Sequence, residues 1–244
     1  MSFATEVASG LLFQSMGFVF VWAILARFET LGGWSLGEVA VLYGLRLSAH
    51  GIWVLMFSQL YRFDGIVREG EYDRFLIRPV PAIFQLMFTS VRVTVIGDFI
   101  GGLVILGAAL SRVQIEWTPA LVVFLIASVL LGSLIDGAFQ LGPAGLAFRF
   151  LDTLPIRITF DDIFSRFGGY PVSIFGQVAQ WAFTSILPIA FMAYIPASVL
   201  LGRTSELIVP AWLAWMSPVV CVVAFAIGLR FFLGQSRHYQ SSGH

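Results

Sequence analysis

The sequence predicts an all-α integral membrane protein with six transmembrane helices in a single domain, residues 1–244. Three observations predict it. Hydrophobic residues make up 58% of the chain and charged ones only 11%, against roughly 25% charged residues in a soluble domain. The apolar residues come in long runs rather than short amphipathic stripes, and several runs reach the about 20 residues that a helix needs to cross a hydrocarbon core of ~30 Å. Two intervening segments, 61–81 and 141–170, carry too much charge to cross it.

The first span is expected at about 7–26. It has no basic leading region and no small-residue cleavage site, so it reads as a retained helix rather than a signal peptide. The second, 36–60, follows Gly33-Trp34-Ser35-Leu36-Gly37-Glu38. The first five of these residues match G-x-S-x-G, but that nucleophile elbow works only on a strained strand-to-helix turn. Ser35 with Glu38 is the S-x-x-E of a capping box, which suits the start of a helix. A hydrolase pairing Ser35 with His50 would have to bridge about 22 Å of continuous helix.

The third span, 82–110, carries Arg92 and Asp98, with Gly97 and Gly101 at the G-x-x-x-G spacing that lets helices approach closely. The fourth, 119–139, opens on Pro119 and carries Asp136. Arg92 and Asp98 lie on different faces, and these in-span charges read better as interhelical pairing than as a proton relay. The fifth, 172–195, contains Pro188, with Pro196 just beyond. A five-span arrangement, with this region re-entrant, stays open. The sixth, 207–233, contains Cys221, the only cysteine, expected as a small apolar filler; a lone cysteine excludes an internal disulfide and a Cys-based metal site.

All 14 basic residues are arginine. A chain without lysine cannot hold phosphates through a P-loop or form a Schiff base. With the N-terminus inside, Arg62, Arg68, Arg74, Arg78, Arg149, Arg157, Arg166, Arg230 and Arg237 face the cytoplasm, and Arg27, Arg112 and Arg203 face out. That asymmetry obeys the positive-inside rule, and it places both termini and both long loops in the cytoplasm. The net charge is zero, so nothing points to nucleic acid.

Two constellations stand out. Arg46 and His50, four apart in the second span, share a helix face. At that depth they either line a polar path or anchor helices to one another. No H-E-x-x-H accompanies His50, so no metal site is expected. Segment 61–81 carries Arg62, Arg68, Arg74 and Arg78 against Asp64, Glu69, Glu71 and Asp73. That balance argues against a polybasic lipid-binding patch. Tyr72, Phe75 and Leu76 at i, i+3 and i+4 give a short amphipathic helix that Pro79 must end. A docking element or an ordinary solvated loop both fit the pattern.

Five stretches together resemble one family: GWSLGEVAVLYGLRLSAHGIW (33–53), VREGEYDRFLIRPVP (67–81), YPVSIFG (170–176), ILPIAFMAYIPASVLLGR (186–203) and HYQSSGH (238–244). They cover most of the chain and resemble the permease subunits of ABC-2 type ABC exporters, in the small bacterial antibiotic- or daunorubicin-resistance-like branch. The resemblance implies a six-helix exporter transmembrane domain in the bacterial inner membrane. It also implies a second permease subunit, identical or homologous, separately encoded ABC ATPase subunits as partners, surrounding membrane lipids, and no bound cofactor. The loop between the second and third spans would then couple to the ATPase, which makes Arg68, Glu69, Glu71, Tyr72, Asp73, Arg74, Phe75 and Arg78 coupling-loop positions. Arg46, His50 and Gln59 become candidates for the path or the permease interface. Family members usually carry an interfacial segment before the first span, and here almost nothing precedes it. The rival expectation is an ion-coupled carrier working through Asp98 and Asp136.

Overall fold

The computed structural model describes residues 30–89, 94–150 and 152–240. The expected first span at 7–26, Arg27 and Arg92, together with the side chain of Asp98, lie outside the described residues.

The first described element is a tight turn. Gly32 and Gly33 take φ of +58° and +83°, which other residues reach only with strain, and Leu31 and Trp34 exchange backbone hydrogen bonds of 2.8 and 3.0 Å. Helix α1 (Leu36–Phe57) starts directly after it. Ser35 N–H donates to Glu38 Oε at 2.7 Å, and Glu38 N–H donates to Ser35 Oγ at 3.4 Å. The serine is a helix cap, and the elbow reading fails. A 3-10 turn (Ser58–Arg62) carries α1 into α2 (Phe63–Arg68), so that Leu36–Arg68 forms one continuous apolar stretch.

The remaining helices are α3 (Asp73–Leu76), α4 (Ala82–Thr89), α5 (Thr94–Leu110), α6 (Pro119–Leu146), α7 (Leu154–Phe167), α8 (Gln177–Trp181), α9 (Tyr194–Leu200), α10 (Ala211–Trp215) and α11 (Ser217–Ser236). No strand forms among the described residues. Leu36–Arg68, α6 and α11 are each long and apolar enough to cross a membrane.

Several expected boundaries move. Within the third expected span, α4 and α5 are helical on either side of residues 90–93, which lie outside the described residues. The fourth runs past Phe139 to Leu146, through Pro143. Burial overrides the breaker there, because Leu141 and Ala144 pack into an aromatic cluster with Phe63 and Phe232. The fifth is not a straight helix: Gln177–Ile186 and Ile189–Leu200 meet at 74°. Proline lacks an N–H and disfavours helical backbone in the residue before it, and Leu187, before Pro188, takes φ −112°, ψ 82°. Counted as one, the bent pair makes a fourth candidate span among the described residues. The sixth starts later than expected, with Pro210 capping α10 and Met216 separating α10 from α11. Segment 141–170, read as a loop, contains the 14-residue helix α7.

Glycines decide how the helices pack. A Cβ on Gly44, Gly51 or Gly102 would lie 2.7 Å from Leu106 Cα, 2.6 Å from Phe99 Cα and 2.6 Å from Ser48 N respectively. Thus α1 and α5 run antiparallel with backbones in contact. A Cβ on Gly228 of α11 would meet the Ala138 carbonyl of α6 at 2.7 Å, and one on Gly145 of α6 would meet Phe232 Cα of α11 at 3.2 Å, so those two helices run parallel. Gly132 and Gly137 of α6 face Ala49 and Trp53 of α1. Helices α1, α6 and α11 therefore end at the same end of the bundle. Most of the apolar surface of α11 faces outward, including Val219, Val222, Val223 and Ile227.

Candidate coupling surface and buried polar network

Three helices each present a pair of polar residues four apart, and so on one face. These are Arg46 and His50 on α1, Asp136 and Gln140 on α6, and Asp161 and Ser165 on α7. His50 Nδ1 lies 2.8 Å from Asp136 Oδ2. Arg46 donates to Ser165 Oγ at 3.2 Å and Gln140 to Asp161 Oδ1 at 2.9 Å. The Tyr61 hydroxyl donates to the other Asp161 oxygen. Burial pushes the Asp161 carboxyl above the usual carboxylate range, against the pull of the Tyr61 hydrogen bond. Charged groups buried between helices are costly unless paired, and the interhelical pairing expected of Asp136 is met by His50. Gln59 is buried but joins none of these bonds. Arg46 Nε is buried without a partner among the described residues, which leaves one donor of the network unused.

A second constellation locks the network to segment 61–81. Arg157, expected on the cytoplasmic side, is fully buried. Its guanidinium lies 2.6 Å from Asp64 Oδ1 and also donates to the Leu60 carbonyl. Burial pulls Arg157 below the usual arginine range, and Asp64 opposes that shift. The same carboxylate accepts the Thr153 backbone N–H at 3.0 Å and the Thr153 hydroxyl at 2.6 Å. Thr153 is the N-cap of α7, where a negative charge is favoured by the orphan amides and the helix dipole.

The rest of segment 61–81 divides in two. Arg68, Glu69, Glu71, Arg74 and Arg78 are exposed, with Leu76 and Ile77, the last at 83%. Tyr72 is turned inward at 2% exposure, its ring edge-on to Phe63, Phe148 and Tyr239. Phe75 stacks edge-on against Tyr72, and Asp73 interacts with the Tyr239 hydroxyl. The expected face of Tyr72, Phe75 and Leu76 is therefore split. The tyrosine anchors the loop to its own chain, because the C-terminal ends of α6 and α11 supply the aromatic partners. The helix itself is one turn, Asp73–Leu76, and stops before Pro79.

At the opposite end of the bundle, Arg203 Nη1 reaches both oxygens of Glu38 at 2.9 and 3.0 Å and the Gly33 carbonyl at 3.0 Å. Its guanidinium lies 4.9 Å above Trp34, and its Nε meets Glu206 at 2.9 Å. This clamp joins the start of α1 to the chain beyond α9. Cys221 is buried, with its thiol 3.7 Å from the Phe191 carbonyl.

Sequence reasoning overlooked Asp64, Gln140, Thr153, Arg157 and Asp161 as partners. One signal was available. Phe160 and Phe164 stand four apart, as do Asp161 and Ser165 beside them, which is a helical pattern inside the supposed loop. Beside the network an apolar cavity of about 420 Å³ opens between α6, α7 and α11, lined by Phe139, Pro143, Phe160, Pro188, Ile227 and Phe231 among others.

Residues 11–243 match a family whose description reads ABC-2 family transporter protein. No curated protein and no solved structure matches the chain significantly.

Proposed function

Because the chain belongs to the ABC-2 family of transporter proteins, we propose that it exports an amphiphilic substrate across the cell membrane. Membership makes it a membrane permease of an ABC transporter and not itself an enzyme, with ATP hydrolysed by a partner subunit. In our reading two permeases assemble with ATPase subunits, both termini face the cytoplasm, and segment 61–81 docks on the ATPase through Arg68, Glu69, Glu71, Arg74 and Arg78. Tyr72, Asp73 and Phe75 hold that surface from behind.

The observation that carries this reading is the Asp64–Arg157 pair. An exposed mixed-charge surface transmits nothing if it is merely tethered. Here its root is fastened to α7, and α7 reaches Arg46 of α1 and Gln140 of α6. Nucleotide binding shifts the permease between two arrangements only by as much as it favours one of them, and this chain of contacts supplies a route for that bias. Arg46 and His50 then belong to the contacts that rearrange. The apolar cavity has the size range of a small-molecule site, roughly 300–1,000 Å³, and supports a substrate with a large apolar part. The ion-coupled reading finds no support in Asp136, which His50 already engages.

The test is co-purification with the partner ATPase. Glu71→Arg combined with Arg74→Glu should leave expression and membrane insertion intact while abolishing complex formation or coupled ATP hydrolysis. Unchanged association and transport would leave the loop with no coupling role.

A further inference from the structure

We infer that a cavity at the shared end of α1–α2, α6 and α11 binds the phosphate group of an anionic ligand at the membrane surface. The cavity measures about 430 Å³ and is lined by Arg68, Arg149 and His238, with Phe148, Phe150 and Tyr239. The three cationic or N–H-donating side chains come from three separate parts of the chain, and they converge on one opening. No carboxylate among the described residues lines it. Arg68, Arg149 and His238 form no ion pair among the described residues.

Segment 61–81 is neutral as a string, but the structure separates its charges. Asp64 is turned inward to Arg157 and Thr153, and Asp73 interacts with the Tyr239 hydroxyl. Arg68 and Arg149 both line the cavity, while the exposed Glu69 and Glu71 are not among its lining residues. Paired guanidinium groups suit phosphate oxygens, because each planar fork can donate two parallel hydrogen bonds.

Position identifies the ligand class further. Arg68 ends the apolar stretch Leu36–Arg68, α6 ends at Leu146 just before Arg149, and α11 ends at Ser236 just before His238. Because these helices run parallel and end together, the cavity sits at one end of the apolar bundle, the position at which a lipid head group would meet it. Phe150, exposed beside Arg149, offers an apolar surface for the first carbons of an acyl chain. A phospholipid head group and a free phosphate share the chemistry that the cavity recognises.

The purified full-length chain in neutral detergent provides the test, with binding of dihexanoyl phosphatidylglycerol, dihexanoyl phosphatidylcholine and inorganic phosphate measured by titration calorimetry. The anionic lipid should bind more tightly than the zwitterionic one. Arg68→Gln with Arg149→Gln should weaken it about tenfold or more, the scale of a lost charge-assisted hydrogen bond, whereas Arg112→Gln, at the other end of the bundle, should not. Competition by millimolar inorganic phosphate would identify a free-phosphate site, and lipid binding without competition a head-group site. If the double variant loses its helicity, His238→Gln alone supplies the comparison, with a smaller loss expected. Equal affinity for the two lipids, or binding indifferent to all of these variants, overturns the proposal.

Discussion

The Arg157 guanidinium and the Asp64 carboxylate lie 2.6 Å apart at the N-terminus of α7, the first fully buried. Each comes from a segment whose composition reads as solvated loop. Their pairing turns two loops into one rigid corner beneath the bundle.

Removing one partner strands the other charge. Asp64→Leu or Arg157→Met alone should lower permease stability by about 3–5 kcal/mol, whereas the two together should recover much of that loss. Thermal unfolding of the four proteins in detergent, analysed as a double-mutant cycle, measures this. A coupling energy near zero would mean that the corner is held by packing alone.

The α1–α5 contact should tolerate no added side chain. Gly51→Val forces a Cβ into the Phe99 backbone and should cost roughly 1–3 kcal/mol or prevent folding. Gly107→Ala, on the same helix pair but with nothing within 4 Å of its added carbon, should be close to neutral. Comparable losses at both sites would contradict the close approach.

How much of this was legible in advance depends on range. The start of α1 was readable because Ser35 and Glu38 are three apart, and hydropathy located most of the apolar helices. Pairings across the chain were not. Asp64 and Arg157 each sit among compensating charges, so neither looks buried until α7 is recognised as a helix. Tyr72 fits an outward apolar face by spacing, and only the distant partners Phe148 and Tyr239 turn it inward. Pro143 and Pro188 are the same residue type, yet one is absorbed by a helix and the other bends the chain. Neighbouring side chains make that difference, and local sequence carries no trace of them.

Transport should follow the partner ATPase and ignore the proton gradient. In vesicles holding the assembled transporter, Asp136→Asn should reduce stability through the His50 contact, and a protonophore should leave ATP-driven transport unchanged. Transport by the lone chain that collapses with the proton gradient would reinstate the carrier reading.

The orientation can be read from outside the cell. Cys221 is buried, so Cys221→Ala gives a clean background. In it, Ser205→Cys should react with an impermeant maleimide added to intact cells, whereas Glu71→Cys should not. Labelling of Glu71→Cys from outside would reverse the orientation drawn from the arginines.

The backbone contact between α1 and α5 also fixes what can move. Gly44, Gly51 and Gly102 leave no layer of side chains between the two helices to slide upon, so any tilt of one would carry the other with it. Such a tilt is magnified along the pair. A helix of 22 residues is about 33 Å long, so a tilt of about 10° at one end carries the other by about 6 Å. A small displacement at the loop would thereby reach the Arg203–Glu38 clamp at the far side enlarged.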